Sequence, residues 1–557
     1  MDVGLIMDVV AIAEAPSYNM DILRRSFKNL FSLLGLNPDN PFGDIIKPGM
    51  TVFIKPNMVA SRWRASCNKK GDIYSVITHP NVIELIADYC DIALSGQGRI
   101  IIGDNPSIDA NFDELMELTQ LKKLEHKYDV PCEIVDMRPL YCDNLENYGI
   151  KAKMINQAGD PRGNVTVNLK DKSMFFGKDP DLFRGVFNER EETISSHTGD
   201  NQLYTFGKSL FDADVYISVP KLKTHVKTGV TLNLKGLVGS ITNKNQLVHW
   251  SVGSPETGGD EYPSLEELEA SKYAKVTRRG AWPGNDTIWR MVVDLYSAFT
   301  SRNRKYITII DGIIGGQGSG PFCPDALNSK VLLGAFNLLS MDIVATRLMG
   351  IDPMKIKYLN HYIKNDPHYY DLISVRSDFI DTSNFFHSES KYLDFNVEDK
   401  WSIIKYVPDE KTTTKKYHVG YTTGVYDLFH IGHLNLLKKA KDMCDYLIVG
   451  VTTDELVSYK HKKSVIPFDE RIQIVQAIEY VDKAVPQTSM DKMFAWEQYH
   501  FDVMFVGDDW KGTDKWNKFE EEFKKVGVEI VYFPYTKGTS STLLNETLLK
   551  IRGEKND

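Results

Sequence analysis

The chain has 557 residues, of which 42% are hydrophobic and 25% are charged, and its formal net charge is −9. This length suggests about two to four domains of an ordinary globular type. The mildly acidic balance, without a basic stripe interleaved with aromatic residues, argues against nucleic acid as a partner. No run approaches the ~18 apolar residues that span a bilayer, so we expect no membrane insertion and a cytoplasmic protein.

The sequence before residue 390 mixes strand and helix patterns. Its start, M-D-V-G-L-I-M-D-V-V-A-I-A-E-A, has no basic leader and predicts a core strand rather than a signal peptide. Short apolar runs such as T-V-F-I-K-P and R-I-I-I-G-D follow and end in Pro, Asp or Gly. They predict buried strands with polar groups at their carboxyl ends, where α/β folds bind ligands.

One basic segment, V-P-K-L-K-T-H-V-K-T-G-V-T-L-N-L-K-G (Val219 to Gly236), follows such a strand. Its interleaved lysines, histidine and hydroxyl groups suit an anionic substrate or a nucleotide, and the alternative is a solvated basic edge. The glycine-rich run Asp311 to Pro321 would cradle a phosphate. The candidate residues of the N-terminal site are Lys55, Asn57, Asp104, Lys221, Lys223, His225, Asn233, Lys235, Asp311 and Gly318.

The six cysteines include no C-x-x-C pair, so neither a zinc site nor an iron–sulfur cluster is indicated. In a chain of this size we interpret them as buried thiols in a reducing compartment. Cys323, just after the glycine-rich run, has no base nearby in sequence and is interpreted as an incidental thiol.

A polar stretch with the low-complexity run K-T-T-T-K-K separates two parts of the chain. We predict a mixed α/β domain over 1–390, a linker over 391–416 and a second domain over 417–557. In the second domain, strand patterns alternate with helix patterns, ending in the helix-like S-T-L-L-N-E-T-L-L-K-I. This alternation predicts a Rossmann-like, doubly wound parallel sheet with helices on both faces.

The run G-V-Y-D-L-F-H-I-G-H (Gly424 to His433) lies between a predicted strand and a predicted helix. Two imidazoles near a helix N-terminus suit a phosphate that gains charge during a reaction. Gly432 allows a close backbone approach to a phosphate chain, and Asp427 would hold a metal ion or orient the histidines. The alternative is a pair of solvent-exposed capping histidines, because short motifs often arise by chance.

Four further features decide between these interpretations. Lys460 begins the run K-H-K-K, a triphosphate clamp or a solvated loop, and Arg471 is placed at the start of a helix, where a cation is unfavourable. G-D-D-W places Asp508 and Trp510 after a strand, where Trp510 would pack on a base. T-K-G-T-S-S-T offers hydroxyl groups for a second phosphate site.

Together these motifs, in this order over residues 417–552, resemble the cytidylyltransferase family, closely its glycerol-3-phosphate type. The resemblance implies that an alcohol phosphate attacks the α-phosphorus of CTP in line, giving a CDP-alcohol and pyrophosphate for a capsule or a teichoic-acid-like polymer. It also implies transition-state stabilisation by His430 and His433, phosphate or substrate contacts from Lys460 and Arg471, a divalent ion such as Mg²⁺, and a homodimer. The implied nucleotide-binding residues are Gly424, Tyr426, Asp427, Gly432, Asp508, Trp510, Thr536, Gly538, Ser540 and Thr542.

One position departs from the family pattern. The residue before T-x-G-x-S is usually arginine in the family and is Tyr535 here, although Lys537 is close by. A tyrosine cannot give the bidentate cationic contact of an arginine, so this position bears on which substrate is used.

The N-terminal motifs I-K-P-N, V-P-K-x-K-T-H and D-G-I-x-G resemble the domain-of-unknown-function family three-six-two, over about residues 40–355. That resemblance implies no reaction. The fusion suggests that this half makes or modifies the alcohol phosphate that the C-terminal half activates. Two alternatives stay open for the C-terminal half: an adenylyltransferase that uses ATP, and a nucleotide-binding regulatory module without catalysis.

Overall fold

A computed structural model describes residues 7–63, 67, 71–143, 153–185, 190–274, 278–364, 369–408, 416–458 and 464–534. The chain folds into two compact units. The N-terminal unit comprises residues 1–363 and 368–408, and the C-terminal unit comprises residues 364–367 and 409–557. In the described part of the chain, no helix is both long and apolar enough to cross a membrane.

The N-terminal unit is a mixed α/β structure. Its strands are β1 (Asp8–Glu14), β2 (Thr51–Pro56), β3 (Arg99–Asp104), β4 (Cys132–Asp136), β5 (Leu140–Asp143), β6 (Lys153–Asn156), β7 (Asn164–Asn168), β8 (Phe183–Arg184), β9 (Leu203–Gly207), β10 (Val215–Val219), β11 (Lys221–His225), β12 (Gly229–Val230), β13 (Trp250–Ser251), β14 (Lys305–Ser319), β15 (Cys323–Ala335) and β16 (Ile373–Ser377). Its helices are α1 (Met20–Leu33), α2 (Pro80–Leu94), α3 (Phe112–Thr119), α4 (Arg190–Ser196), α5 (Lys208–Phe211), α6 (Leu232–Gly236), α7 (Leu265–Ser271), α8 (Ile288–Thr300), α9 (Leu338–Leu348) and α10 (Lys357–Ile363).

A ten-stranded sheet forms the centre of this unit. Its main order is β16-β1-β15-β14-β10-β2-β3-β4, and β11 and β12 branch from β14. The run from β14 to β4 is parallel, whereas β15 is antiparallel to both of its neighbours. Phe53 contributes to one hydrophobic core and its neighbours Val52 and Ile54 to the other, as the alternation of side chains along a buried strand requires. The sheet is therefore buried on both faces, and the first core strand predicted from the sequence is β1.

The glycine-rich run after Asp311 is a strand and not a phosphate loop. It forms the second half of β14, in an antiparallel hairpin with β15. The backbone N–H of Gly318 donates to the carbonyl of Asn396 at 2.8 Å. The prediction that Gly318 belongs to a phosphate cradle is corrected, since pairing within the sheet and this bond already occupy the backbone.

The cysteine interpretation is also corrected. Cys67 and Cys323 form a disulfide with Cα atoms 5.5 Å apart, across 256 residues of sequence. Cys323 is therefore not an incidental thiol, and the pair does not fit six reduced cysteines. The other four cysteines are free and buried, as predicted.

Part of the predicted linker belongs to the folded N-terminal unit. Phe395, Trp401 and Ile404 are buried in the core that also contains α8 and α9 residues. The apolar side chains of the stretch predicted as a linker therefore pack into the N-terminal unit, which extends to residue 408.

The C-terminal unit is built on a parallel sheet. Its strands are β17 (Tyr417–Gly424), β18 (Cys444–Thr452), β19 (Lys483–Gln487), β20 (Val503–Gly507) and β21 (Glu529–Phe533). Its helices are α11 (Ile431–Met443), α12 (Asp454–Ser458), α13 (Phe468–Gln476), α14 (Lys492–Tyr499) and α15 (Asp514–Lys525). The strand order is β19-β18-β17-β20-β21, with every pairing parallel.

Two hydrophobic cores flank this sheet and confirm the predicted doubly wound architecture. Val475 of α13 packs in one of them and Phe523 of α15 in the other. The sequence patterns did not predict β19 and α14. The helix predicted from S-T-L-L-N-E-T-L-L-K-I lies outside the described residues.

Candidate active site

The C-terminal site lies where the order of the parallel strands reverses. β17 pairs with β18 on one side and with β20 on the other, so the connections from β17 and β20 leave the sheet in opposite directions. In an α/β sheet the crevice at the carboxyl ends of such strands is the usual ligand site. Gly424 ends β17 and Gly507 ends β20, so the two predicted motifs meet at this crevice.

His430 and His433 begin α11 together. His430 is the N-cap residue, and its Nδ1 accepts the backbone N–H of Gly432 at 3.0 Å. The Nδ1 of His433 accepts the backbone N–H of His430 at 3.4 Å. The two rings stack with centroids 4.0 Å apart and planes inclined by 21°. The predicted position of both histidines at a helix N-terminus is confirmed.

These contacts fix the protonation of both rings. A ring nitrogen that accepts a hydrogen bond carries no proton, so each neutral imidazole holds its proton on Nε2. Burial, and to a smaller extent the neighbouring His430, lower the pKa of His433 to about 4 against the opposing effect of Asp427. Burial also lowers the pKa of His430. At neutral pH the pair therefore presents two Nε2–H donors from uncharged rings.

Asp427 binds the backbone of the segment that precedes α13. Its carboxylate accepts the backbone N–H of Val465 at 2.8 Å and that of Ile466 at 3.0 Å. These bonds tie the turn after β17 to the segment that leads into α13. They do not involve the histidine rings, so both predicted roles of Asp427, as a metal ligand and in orienting the histidines, stay predictions.

Arg471 is fully buried and contacts protein groups. Its guanidinium donates to the carbonyls of Ile466 (2.9 Å), Val425 and Thr452 (2.8 Å). It also donates to a carboxylate oxygen of Asp454 at 2.6 Å, and its side chain is 0% exposed. The structure thus makes Arg471 a positioning residue that joins the turn after β17 to the ends of β18 and α12. A direct contact with substrate or triphosphate stays a prediction.

Three more predicted nucleotide-binding residues lie at the carboxyl ends of β17 and β20, and a fourth lies shortly after β17. A Cβ at Gly424 would lie 3.0 Å from the ring of Tyr426, so any larger residue there would require that ring to move by a few tenths of an ångström. Tyr426 is buried and lies edge-on to His433, with centroids 5.2 Å apart. Asp508 opens a short 3₁₀ turn after β20, and Trp510 on that turn is 48% exposed. An exposed tryptophan at a strand end suits stacking on a base.

Several predicted residues lie outside the described part of the chain. They are Lys460, Tyr535, Thr536, Gly538, Ser540 and Thr542.

In the N-terminal unit, the predicted residues at the strand ends form two buried ion pairs. Lys55 lies 2.8 Å from Asp104, and Lys221 lies 2.8 Å from Asp311. The second pair is 0% exposed, and the hydroxyl of Tyr18 donates to the same Asp311 at 2.8 Å. Buried charges need such partners, so these pairs stabilise the meeting point of β2, β3, β11 and β14.

The other predicted N-terminal residues divide into two kinds. Asn233 donates from its backbone and side-chain N–H groups to Asp342, each at 2.8 Å, which marks it as structural. The backbone N–H of Asn57 donates to Thr78 at 2.9 Å. Lys223, His225 and Lys235 are buried, and burial together with neighbouring cations lowers the pKa of each. The structure thus concentrates buried basic side chains in the segment where the sequence predicted an anion site.

Comparison with known proteins bears first on the C-terminal unit. A family model described as cytidylyltransferase-like matches residues 421–549. The glycerol-3-phosphate cytidylyltransferase of Staphylococcus aureus is 38% identical over 128 residues, which cover 23% of this chain and 92% of the relative. The chain belongs to the cytidylyltransferase-like family. The glycerol-3-phosphate cytidylyltransferase of Bacillus subtilis is also 38% identical, over 23% of this chain and 94% of its own length.

Two further matches concern another relative of the C-terminal unit and the family of the N-terminal unit. An FAD synthase of Archaeoglobus fulgidus is 35% identical over 20% of this chain and 79% of its own length. A second family model, described as a domain of unknown function (DUF362), matches residues 182–347. This match includes Lys221, Lys223 and Lys235 and does not reach Lys55 or Asp104.

The cytidylyltransferase-like unit contains one buried cation that the sequence patterns missed. Lys492 on α14 is 5% exposed, and its Nζ donates to the hydroxyl of Thr423 at 3.1 Å. Thr423 precedes Gly424, so Lys492 adds positive charge beside the crevice. The helix that carries Lys492 does have a signal in the sequence: its N-cap residue is Asp491, whose carboxylate accepts the backbone N–H of Met493.

The described residues of this unit do not form a metal cage. They contain no group of three or more His, Cys, Asp or Glu side chains placed to hold an ion. Mg²⁺ usually keeps several waters and binds through one or two carboxylates together with substrate phosphates. The divalent ion stays a prediction.

Proposed function

We propose that the C-terminal unit transfers a cytidylyl group from CTP to an alcohol phosphate such as glycerol 3-phosphate. A phosphate oxygen of the alcohol phosphate bonds to the α-phosphorus, the bond to the β-phosphate oxygen breaks, and a CDP-alcohol and pyrophosphate leave. The observation that carries this proposal is the stacked pair His430 and His433 at a helix N-terminus, in which each Nδ1 accepts a backbone N–H and each proton is therefore placed on Nε2. The similarity to glycerol-3-phosphate cytidylyltransferases supports the choice of nucleotide and acceptor.

The roles of the individual residues follow from charge. Negative charge grows on the phosphate oxygens in the transition state, and donors already held in place stabilise it without reorganisation. His430 and His433 supply two such donors, and Lys492 adds a nearby positive charge. Trp510 holds the cytosine by stacking. Lys460, Ser540 and Thr542 are proposed as triphosphate contacts, and Mg²⁺ as the counter-ion that accompanies CTP.

Pyrophosphate release tests this function. The purified full chain is incubated with CTP or ATP, Mg²⁺ and one of glycerol 3-phosphate, ribitol 5-phosphate and phosphoethanolamine. We expect release with CTP and one of the acceptors, and its loss in His433→Ala. Binding of CTP without release with any acceptor would instead support the non-catalytic module.

A second candidate uses ATP in the same site. The similarity to an FAD synthase is the observation that favours it. Competition between CTP and ATP for release separates the two: a chain that uses CTP keeps its rate when ATP is added in tenfold excess. Inhibition by ATP together with ATP-dependent release would favour the adenylyltransferase.

We further propose that the two units act in sequence in a homodimer, with the N-terminal unit making or modifying the phosphorylated acceptor and the CDP-alcohol entering a cell-surface polymer. The fusion in one chain and the buried cations of the N-terminal unit support this order. The test compares acceptor use by the intact chain with that by a chain carrying Lys235→Met. Identical use of every acceptor precursor by the two chains would overturn the proposed order of the two reactions. Light scattering tests the homodimer separately.

A further inference from the structure

The N-terminal unit encloses a cavity of about 330 Å³ beside the end of β3. Asn105, Arg138 and Lys244 border it, together with side chains of β7, β9 and the segment 242–245. Its volume lies in the ~300–1,000 Å³ range of small-molecule sites. Most of the bordering side chains are polar, so the cavity suits a polar ligand.

Asn105 is the first sign of what the ligand is. This residue is 3% exposed, and neither its side-chain oxygen nor its side-chain nitrogen has a hydrogen-bond partner among the described groups. The side-chain oxygen of Asn245, which borders the same cavity, also has none. Buried polar atoms nearly always have partners, so the whole Asn105 amide and the Asn245 oxygen without partners at one cavity indicate that a ligand supplies the missing bonds.

An excess of buried positive charge is the second sign. The Nζ of Lys244 donates to the carbonyls of Val238 (2.7 Å) and Asn105 (3.5 Å) and has no carboxylate partner in the described chain. The side-chain amine of Lys235 has neither a hydrogen bond nor an ion pair with any described residue, and the residue is 8% exposed. Burial, together with neighbouring cations, lowers the pKa of each of these lysines to about 7. Asp104 opposes this shift at Lys244 and does not cancel it.

The neighbouring charges do not remove this excess. Lys55 is balanced by Asp104 and Arg138 by Asp136, whose carboxylate lies 2.6 Å from the guanidinium. The side chain of Lys223 donates to two backbone carbonyls. The nearby Lys235 adds to the effect of burial in lowering the pKa of Lys223. Buried cations without counter-charges are costly, and an anion of charge −2 or more beside them would relieve that cost.

We propose that this cavity is a binding site for a small phosphate ester, held by Lys244 and the Asn105 amide with Lys235 as a nearby counter-charge. A phosphate monoester provides two negative charges and several acceptor oxygens for these donors. The site belongs to the N-terminal unit and does not depend on cytidylyl transfer. It adds Asn105, Lys244 and the cavity itself to the N-terminal residues predicted from the sequence.

Calorimetric titration of the full chain tests the proposal. The chain carries His433→Ala to weaken phosphate binding at the C-terminal site, and the probes are glycerol 3-phosphate, inorganic phosphate and sulfate. Lys244→Met is compared with Lys272→Met, a change at an exposed lysine on the same unit that pairs with Glu269. We expect glycerol 3-phosphate to bind at least ~10-fold more weakly to Lys244→Met than to Lys272→Met.

The possible results of this titration lead to different conclusions about the site. Equal affinity in the two lysine variants, or no binding of any probe, would overturn the site. Equal affinity for sulfate and glycerol 3-phosphate would reduce it to a general anion site and overturn the phosphate-ester assignment. Asn105→Leu, which removes the amide and keeps similar volume, is expected to weaken binding while CD melting stays close to that of the parent. Cytidylyl transfer by the chain with His433 intact is measured separately, so its failure would not affect this result.

Discussion

Among single residues, His430 and His433 share one tautomer because of the turn that begins α11. Each Nδ1 accepts a backbone N–H of that turn, so each proton is on Nε2. The same bonds satisfy two of the N–H groups that a helix start leaves unpaired. Helix capping and donor orientation are therefore one property of this pair, and a substitution can separate them.

The first prediction separates the two roles of His433. Asparagine places an acceptor near the position of Nδ1 and has no group at the position of Nε2. We expect His433→Asn to lower kcat by ~10²–10³-fold, as loss of one transition-state donor does, with a small change in Tm. Pyrophosphate release and CD melting measure both effects, with His418→Asn at an exposed position of β17 as the control. Full activity in His433→Asn would contradict the donor role.

The second prediction concerns pH. The folded pKa of His433 is about 4, below its ordinary value of 6.5, so between these values the unfolded chain binds a proton that the folded chain does not. Stability is full above pH 6.5 and falls as the pH is lowered towards 4, by on the order of 2–3 kcal/mol from this residue. His433→Asn should lose less stability than the parent between pH 7 and pH 4.5 in urea titrations. Parallel losses in the two proteins would contradict this.

Among the elements, the segments around β17, β18 and α13 are joined by one side chain. Arg471 on α13 donates to the carbonyls of Val425 and Thr452. Val425 directly follows β17, and Thr452 ends β18. Asp454, its carboxylate partner, also accepts the N–H of Phe468 at the start of α13. The crevice thus depends on a buried guanidinium that need not touch a ligand.

The third prediction tests this positioning role. Lysine keeps the charge at position 471 but carries all its donors on one nitrogen, so it cannot replace the bonds that Nε, Nη1 and Nη2 of Arg471 make at three separate positions. We expect Arg471→Lys to destabilise the C-terminal unit by ~3 kcal/mol or more and to lower kcat as well as raise the KM for CTP. Arg62→Lys, at an exposed arginine, is the control. An unchanged Tm with a raised KM alone would support the direct substrate contact predicted from the sequence.

The sequence predicted the element around His430 because a helix start has local signals. The spacing of two histidines about Gly432, after an apolar run, is sufficient for that. The burial of Arg471 has no local signal, since its three carbonyl partners lie up to 46 residues away and each is a backbone atom. β19 was missed because K-A-V-P-Q combines a proline and polar residues in a short strand.

In the whole molecule, distant contacts were the least predictable from the sequence. Asn105 and Lys244 border one cavity across 139 residues, and Cys67 meets Cys323 across 256. No periodicity connects such positions, and the cysteine spacing alone favoured free thiols. These positions are brought together by the sheet, in which β10 lies between β14 on one side and β2 and β3 on the other.

The fourth prediction concerns the disulfide. A bond that closes a loop of this length stabilises the folded unit mainly by restricting the unfolded chain. We expect Cys323→Ser to lower the stability of the N-terminal unit by ~2–5 kcal/mol. The C-terminal unit should melt as before. Differential scanning calorimetry measures both transitions, with Cys90→Ser as a control at a free, buried cysteine. Equal stability of the Cys323→Ser protein and the oxidised parent would contradict it.

The bond between Cys67 and Cys323 also changes what a protease can release. A single cut anywhere between these residues leaves one covalent molecule, because the two pieces stay joined through sulfur. Such a nicked protein migrates as an intact chain on a non-reducing gel and as two fragments once a reductant is added. The exposed connections inside this ring can therefore be cleaved without dissociation of the parts that carry the buried lysines.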